Sequence, residues 1–87
     1  MKVVILYRPN SEFARMVEEY ATEFERQRGK KFELVDIDSE AGSNTAQLYD
    51  IVQYPAILAV REDGQIMMTW QGERLPLMDE VAAYFDQ

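Results

Sequence analysis

The 87-residue chain has no cysteine and no histidine. Without cysteine there is no disulfide, no thiolate nucleophile and no thiolate-bound metal. Without histidine the usual general base and the commonest zinc and copper ligand are gone as well. Most small-enzyme mechanisms are thereby excluded, and no cofactor is implied. Cysteine usage, normally a guide to redox compartment, says nothing here. Basic residues are also scarce: nine Lys and Arg against sixteen Asp and Glu give a net charge of −7. Nucleic acid and anionic membranes both need a basic face, so neither is an expected partner, whereas a basic protein is tolerated. The plainest consequence of that charge is solubility. Long apolar runs are missing too. Val3-Val4-Ile5-Leu6-Tyr7 is too short for a membrane span or a signal-peptide core and is followed at once by a helix signal, so a cytoplasmic protein is expected.

What is present suits one domain, residues 1–87, with a modest core: 47% of residues are apolar and 29% charged, with no internal repeat or linker. Lys2 to Arg8 is β-branched and apolar with almost no alternation, the pattern of a central strand buried on both faces. Pro9 stops it. Asn10 or Ser11 can cap a helix in which Phe13, Met16, Val17, Tyr20, Ala21 and Phe24 recur at helical spacing, ending near Gly29. Its charged residues run from acidic early to basic late, as the helix dipole favours. Phe32 to Asp38 reads as a second, more exposed strand and Ser39 to Asn44 as a loop. A short helix is expected around Thr45 to Asp50, then an apolar strand from Ala56 to Arg61. Glu62-Asp63-Gly64-Gln65 is a hairpin turn leading to a return strand, Ile66 to Trp70, broken by Gly72. Pro76 can sit in the first turn of a last helix carrying Leu77, Val81, Ala82, Tyr84 and Phe85. The expected fold class is α/β with the order β-α-β-α-β-β-α. A helix joins the first two strands, which makes them parallel, and the tight turn makes the last two antiparallel. A mixed four-stranded sheet with helices on both faces results.

That order resembles the thioredoxin fold in its minimal, glutaredoxin-sized form. Arg8-Pro9-Asn10-Ser11-Glu12-Phe13-Ala14 looks like the glutaredoxin stretch Arg-Pro-Gly-Cys-Pro-Tyr-Cys, with Ser11 and Ala14 on the two active-site cysteines. Tyr49-Asp50-Ile51-Val52-Gln53-Tyr54-Pro55-Ala56 is similar to the thioredoxin stretch Tyr-Gly-Ile-Arg-Gly-Ile-Pro-Thr, which ends in that family's cis-proline. The resemblance therefore implies a cis Tyr54–Pro55 bond. It also implies that the chemistry is gone: the family needs a thiolate at a helix N-terminus and a resolving thiol, and its buried aspartate is matched by Ile5.

Three further constellations deserve weighing. Ser11 stands at the family's nucleophile position, where a hydroxyl can stabilise glutathione thiolate in some transferases of this fold; helix capping is its plainer role. The pair that would hold the γ-glutamyl end of glutathione is not supplied by Gly72-Glu73-Arg74-Leu75-Pro76-Leu77. Asp36, Asp38 and Glu40 alternate along a strand end, but the calcium-loop pattern fails at Ala41 and Gln47, and a solvated strand end is the simpler reading. Tyr54 either lines a peptide groove or packs over the short second helix, and Trp70 either meets a partner or covers the sheet.

The functional expectation is a redox-inactive binding or assembly module. Its partner is an unidentified protein or extended peptide; the alternatives are a glutathione-binding enzyme using Ser11 and a purely structural domain, including one that self-associates through an exposed sheet edge. The expected binding residues are Arg8, Pro9, Asn10, Ser11, Glu12, Phe13, Gln53, Tyr54, Pro55 and Gly72. They come from three segments that the topology gathers at one end of the sheet. Arg8 would face an acidic or carboxylate group of the ligand, unless it merely pairs with Glu12.

Overall fold

Strand β1, Lys2–Tyr7, is buried at every position after Lys2 in the computed structural model, which describes residues 1–85. Its burial follows from its place in the sheet. On one side it pairs in parallel with β2, Glu33–Asp36, and on the other antiparallel with β3, Ala56–Val60. β3 pairs antiparallel with β4, Ile66–Gln71, so the strand order is β2-β1-β3-β4. A strand with neighbours on both sides and helices above and below has no solvent face, which is why its sequence does not alternate.

Three helices cover the sheet: α1, Ala14–Arg28, α2, Glu40–Leu48, and α3, Met78–Phe85. Alternate strand residues divide the core into two layers. Val3, Ile5, Tyr7, Ile57 and Ala59 pack with Val17 and Phe24 of α1 and Val81 of α3. Val4, Leu6, Ala56 and Leu58 face the other way, onto Ala46 of α2 and onto Ile37 and Ile51. The mixed sheet with helices on both faces is thus observed. Ile5 is completely buried in the first layer.

The helix boundaries correct the sequence-based expectation at three places. α1 does not start at Asn10 or Ser11: residues 9–13 form turns, Phe13 is the N-cap, and no side chain caps it. Its first turn therefore carries no acid, although Arg26 and Arg28 do occupy the last turn. The end is as expected. Gly29 adopts a left-handed conformation, φ 69°, and its N–H donates to the Glu25 carbonyl, the arrangement that glycine permits at little cost. The second correction is larger. α2 starts at Glu40, within the segment expected to be a loop, because Ser39 is a true N-cap whose Oγ accepts from the Gly42 N–H at 3.0 Å. Removing such a cap typically costs about 1 kcal/mol, so Ser39→Ala is expected to lower stability in urea by about that amount while Ser43→Ala, inside the helix where alanine has the higher propensity, does not lower it. Third, Pro76 lies before α3. Its carbonyl accepts a 2.9 Å hydrogen bond from the Tyr20 hydroxyl, and burial, with a smaller contribution from Glu80, pushes that phenol up to about 12.

At the far end of β3 the Asp63-Gly64 turn is present, with Gly64 at φ 88° and the Gln65 N–H donating to Asp63 Oδ1. A register shift at Ala59/Val60 interrupts the β3–β4 ladder. An extra residue reverses the side-chain alternation. Accordingly Ile66 packs into the α2 layer while Trp70 packs into the α1–α3 layer.

Candidate functional site

The register places the three expected segments at the same end of the sheet. Leu6 pairs with Ala56, and Ala56 with Gln71, so the chain leaving β1 at Arg8, entering β3 at Pro55 and leaving β4 at Gly72 lies along one rim. Two sets of bonds lock the rim. The Gly72 N–H donates to the Pro55 carbonyl at 3.0 Å. The Gln71 side-chain oxygen accepts from the Val52 N–H at 3.2 Å and from the Gln53 N–H at 3.3 Å. Gly72 has φ 107°, and a Cβ there would stand 3.2 Å from the Gln53 side-chain oxygen, so both backbone conformation and the close approach of Gln53 favour glycine.

The Tyr54–Pro55 peptide bond is cis. Pro55 itself is fully buried, and so of the expected contact residues it offers no surface to a ligand. Tyr54 is half-buried: its ring packs against the α2-side layer, its hydroxyl donates to the Ile51 carbonyl at 3.1 Å, and it also lines an open pocket. Among the described residues, no hydrogen bond engages the Tyr54 backbone N–H or carbonyl. Both groups lie in the bend ahead of Pro55, two residues before β3 begins.

Arg8 is exposed and paired, but not with Glu12. Its Nε donates to Asp38 Oδ2 at 3.0 Å and its Nη2 to Asp38 Oδ1 at 3.4 Å. That hydrogen bond, then the carboxylate's charge, raises the Arg8 pKa above its ordinary value. Asp38 is held in turn by the Asp36 carboxylate, which accepts from the Asp38 N–H at 2.8 Å. The parallel pairing of Tyr7 with Asp36 brings these residues together. It is also the signal that sequence reasoning lacked, since it requires the β1–β2 register. Arg8, Asp38, Gln47, Asp50, Val52 and Tyr54 line an open pocket of about 390 Å³. Its charged lining is one guanidinium and two carboxylates, so the pocket itself does not favour an acidic ligand group.

The remaining expected residues make up the turn before α1. Pro9, Asn10 and Glu12 are exposed; Ser11 and Phe13 are half-buried. The Ser11 hydroxyl accepts from the Phe13 N–H at 3.3 Å, a local turn of the kind serine commonly forms. Further along β1, the buried Tyr7 hydroxyl donates to Glu18 Oε2 at 2.9 Å, and burial followed by that carboxylate raises its pKa. Trp70 is half-buried and meets Tyr84 edge to face at 5.4 Å. Asp36, Asp38 and Glu40 do not gather: among the described residues no group of acids is arranged to hold a metal ion. No described helix is long and apolar enough to cross a membrane.

No protein-family model matches the chain, and no curated protein matches it. Among solved structures, one described only as that of a malarial protein aligns with 97% of this chain and 91% of its own, with a TM-score of 0.63 and 12% identity. At that identity the likeness bears on the fold alone: a mixed α/β domain of this size and layering.

Proposed function

We propose that the domain is a thioredoxin-fold module without redox activity that binds an extended protein segment at the rim formed by Arg8 to Phe13, Gln53-Tyr54 and Gly72. The observation that carries this reading is the Tyr54 N–H and carbonyl, free of hydrogen bonds within the described residues, in the bend just ahead of β3. An extended chain laid beside Tyr54 satisfies both groups, and main-chain bonding of that kind gives affinity without demanding a particular sequence. Preference then comes from the neighbouring pocket. Because Arg8 is already spent on Asp38 and Asp50 adds a second carboxylate, a neutral or basic side chain suits it better than the acidic group expected from the sequence. Thiol–disulfide exchange is excluded by composition, and the use of Ser11 Oγ by the Phe13 amide favours a local structural role over a catalytic one.

The test starts from short peptides selected from a random displayed library and titrated into isotopically labelled protein. Amide shifts are expected at Arg8, Ser11, Phe13, Gln53, Tyr54 and Gly72, with the Tyr54 amide moving as a newly formed hydrogen bond requires. Tyr54→Ala is expected to weaken binding about tenfold, equivalent to about 1.4 kcal/mol, and the protein to leave insulin disulfides intact with any electron donor. Shifts confined to the outer face of α1, together with loss of binding in Glu19→Lys or Glu23→Lys, would show the rim to be vestigial.

A further inference from the structure

The two edges of the sheet differ in a way that the rim does not explain. β2 is four residues long and begins and ends with acids, Glu33 and Asp36. An antiparallel pairing of β2 with a second copy would set the Glu33 end of one copy beside the Asp36 end of the other, like charge near like. β4 is the opposite. Its six residues, Ile66-Met67-Met68-Thr69-Trp70-Gln71, include no charged residue and no proline, two of the devices by which edge strands avoid pairing; its bulge lies at Met67 and leaves Met68 to Gln71 in regular register with β3. Met67 and Met68 are exposed, with 37% and 38% of their surfaces accessible, and Thr69 and Trp70 are half-buried.

The geometry points to β4 pairing antiparallel with β4 of a second copy of this chain, about a two-fold axis at Thr69, to form one continuous eight-stranded sheet. The hydrogen-bond phase sets that axis. The Gly72 N–H donates inward to Pro55, and the register pairs Ile57 with Trp70 and Ala59 with Met68. Antiparallel strands alternate bonded and non-bonded pairs. Trp70 and Met68 therefore turn their main-chain groups toward β3, while Thr69 and Gln71 turn theirs away from it, to the open edge.

A two-fold axis between antiparallel copies of one strand must pass between identical residues facing each other, and Thr69 is the outward-bonding residue in the middle of β4. With Thr69 opposite Thr69 of the second copy, Trp70 falls opposite Met68, twice by symmetry. Both lie on the sheet face that carries α1 and α3, and a thioether beside an indole ring is a favourable contact. Met67 falls opposite Gln71. The β4 residues that face one another carry no charge, so no like charges oppose each other within the pairing. The interface is isologous, as a closed dimer requires. It leaves Arg8 and Tyr54 of each copy outside the β4–β4 pairing, with Gly72 at its end, opposite Ile66 of the second copy.

Sedimentation over a micromolar-to-millimolar range tests this. The wild-type protein is expected to move reversibly from monomer to dimer. Thr69→Pro removes an N–H that points out of the sheet, where proline is tolerated on an edge, and should abolish the dimer while leaving the circular dichroism spectrum unchanged. Met68→Lys, which adds a charge on the exposed edge without touching the backbone, should do the same, so that loss of folding in one variant leaves the other decisive. In a dimer assembled from differently labelled copies, nuclear Overhauser contacts between the Met68 methyl of one copy and the Trp70 ring of the other are expected. A wild-type protein that stays monomeric throughout, a dimer that survives both substitutions, or a dimer without the Met68–Trp70 contacts would overturn the proposal. None of these outcomes bears on the Tyr54 main-chain groups, from which peptide binding at the rim is read.

Discussion

Phe24→Ala is expected to cost about 3–5 kcal/mol, the range for removing a fully buried aromatic ring. Phe24 has no accessible surface. Its ring stands 4.7 Å from that of Phe32 and 5.2 Å from that of Phe85, which are themselves 5.5 Å apart. One side chain thus joins α1, the entry to β2 and the end of α3. A domain of this size has a total stability on the order of 4–13 kcal/mol, so the loss takes a large fraction of it. Small domains bury proportionally less surface and have little in reserve. Equilibrium unfolding in urea measures the change, with Phe24→Leu as a control that keeps most of the volume and should cost less. A loss below about 1.5 kcal/mol for Phe24→Ala, the cost of a volume-conserving swap, would mean that the aromatic cluster collapses around the gap and that the rings are less tightly constrained than their spacing indicates.

The parts of the fold that the sequence reveals are those determined by local physics. The unbroken apolar runs at Val3–Tyr7 and Ala56–Val60 are central strands because only strands covered on both faces tolerate such composition. Asp63-Gly64 is a hairpin turn because glycine supplies the required positive φ. What stays hidden depends on partners distant in the chain. Arg8 and Asp38 are thirty positions apart and meet only through the β1–β2 register. The Gln71 clamp on Val52 and Gln53 depends on where β4 ends. The bulge that turns Ile66 and Trp70 to opposite faces depends on the pairing with β3 and not on β4's own residues. At the candidate site the gathering of the three segments is legible from topology. The burial of Pro55 and the neutralisation of Arg8 are not, because both are matters of packing.

Gly42→Ala is expected to destabilise the protein by about 2 kcal/mol or more, although alanine is the better helix former by about 1 kcal/mol. Gly42 also explains why the start of α2 is misread: a glycine between serines has the composition of a loop, yet here it is a requirement of close packing. A Cβ at this position would clash with the Asp36 carbonyl oxygen, standing 2.8 Å from the carbonyl carbon and 3.0 Å from Ile37 Cα. All are backbone atoms, so no side chain can swing aside. The carbonyl cannot retreat freely either. It accepts from the Ser39 N–H at 3.1 Å and from the Ser39 hydroxyl at 2.6 Å, and the same hydroxyl oxygen caps Gly42. Relief of the clash therefore needs α2 to move away from the end of β2 or the cap to break. Overpacking of this kind typically costs about 1–3 kcal/mol and occasionally more, which outweighs the gain in helix propensity and decides the sign. Because Asp36 holds the Asp38 amide and Asp38 holds Arg8, the disturbance should reach the rim, visible as altered shifts at Arg8 and Asp38 in the still-folded fraction. Urea denaturation of Gly42→Ala beside Ala41→Gly, an exposed neighbour in the same helix turn where propensity alone should govern, separates the two effects. A Gly42→Ala protein as stable as the wild type or more so would show that α2 sits farther from β2 than this packing places it.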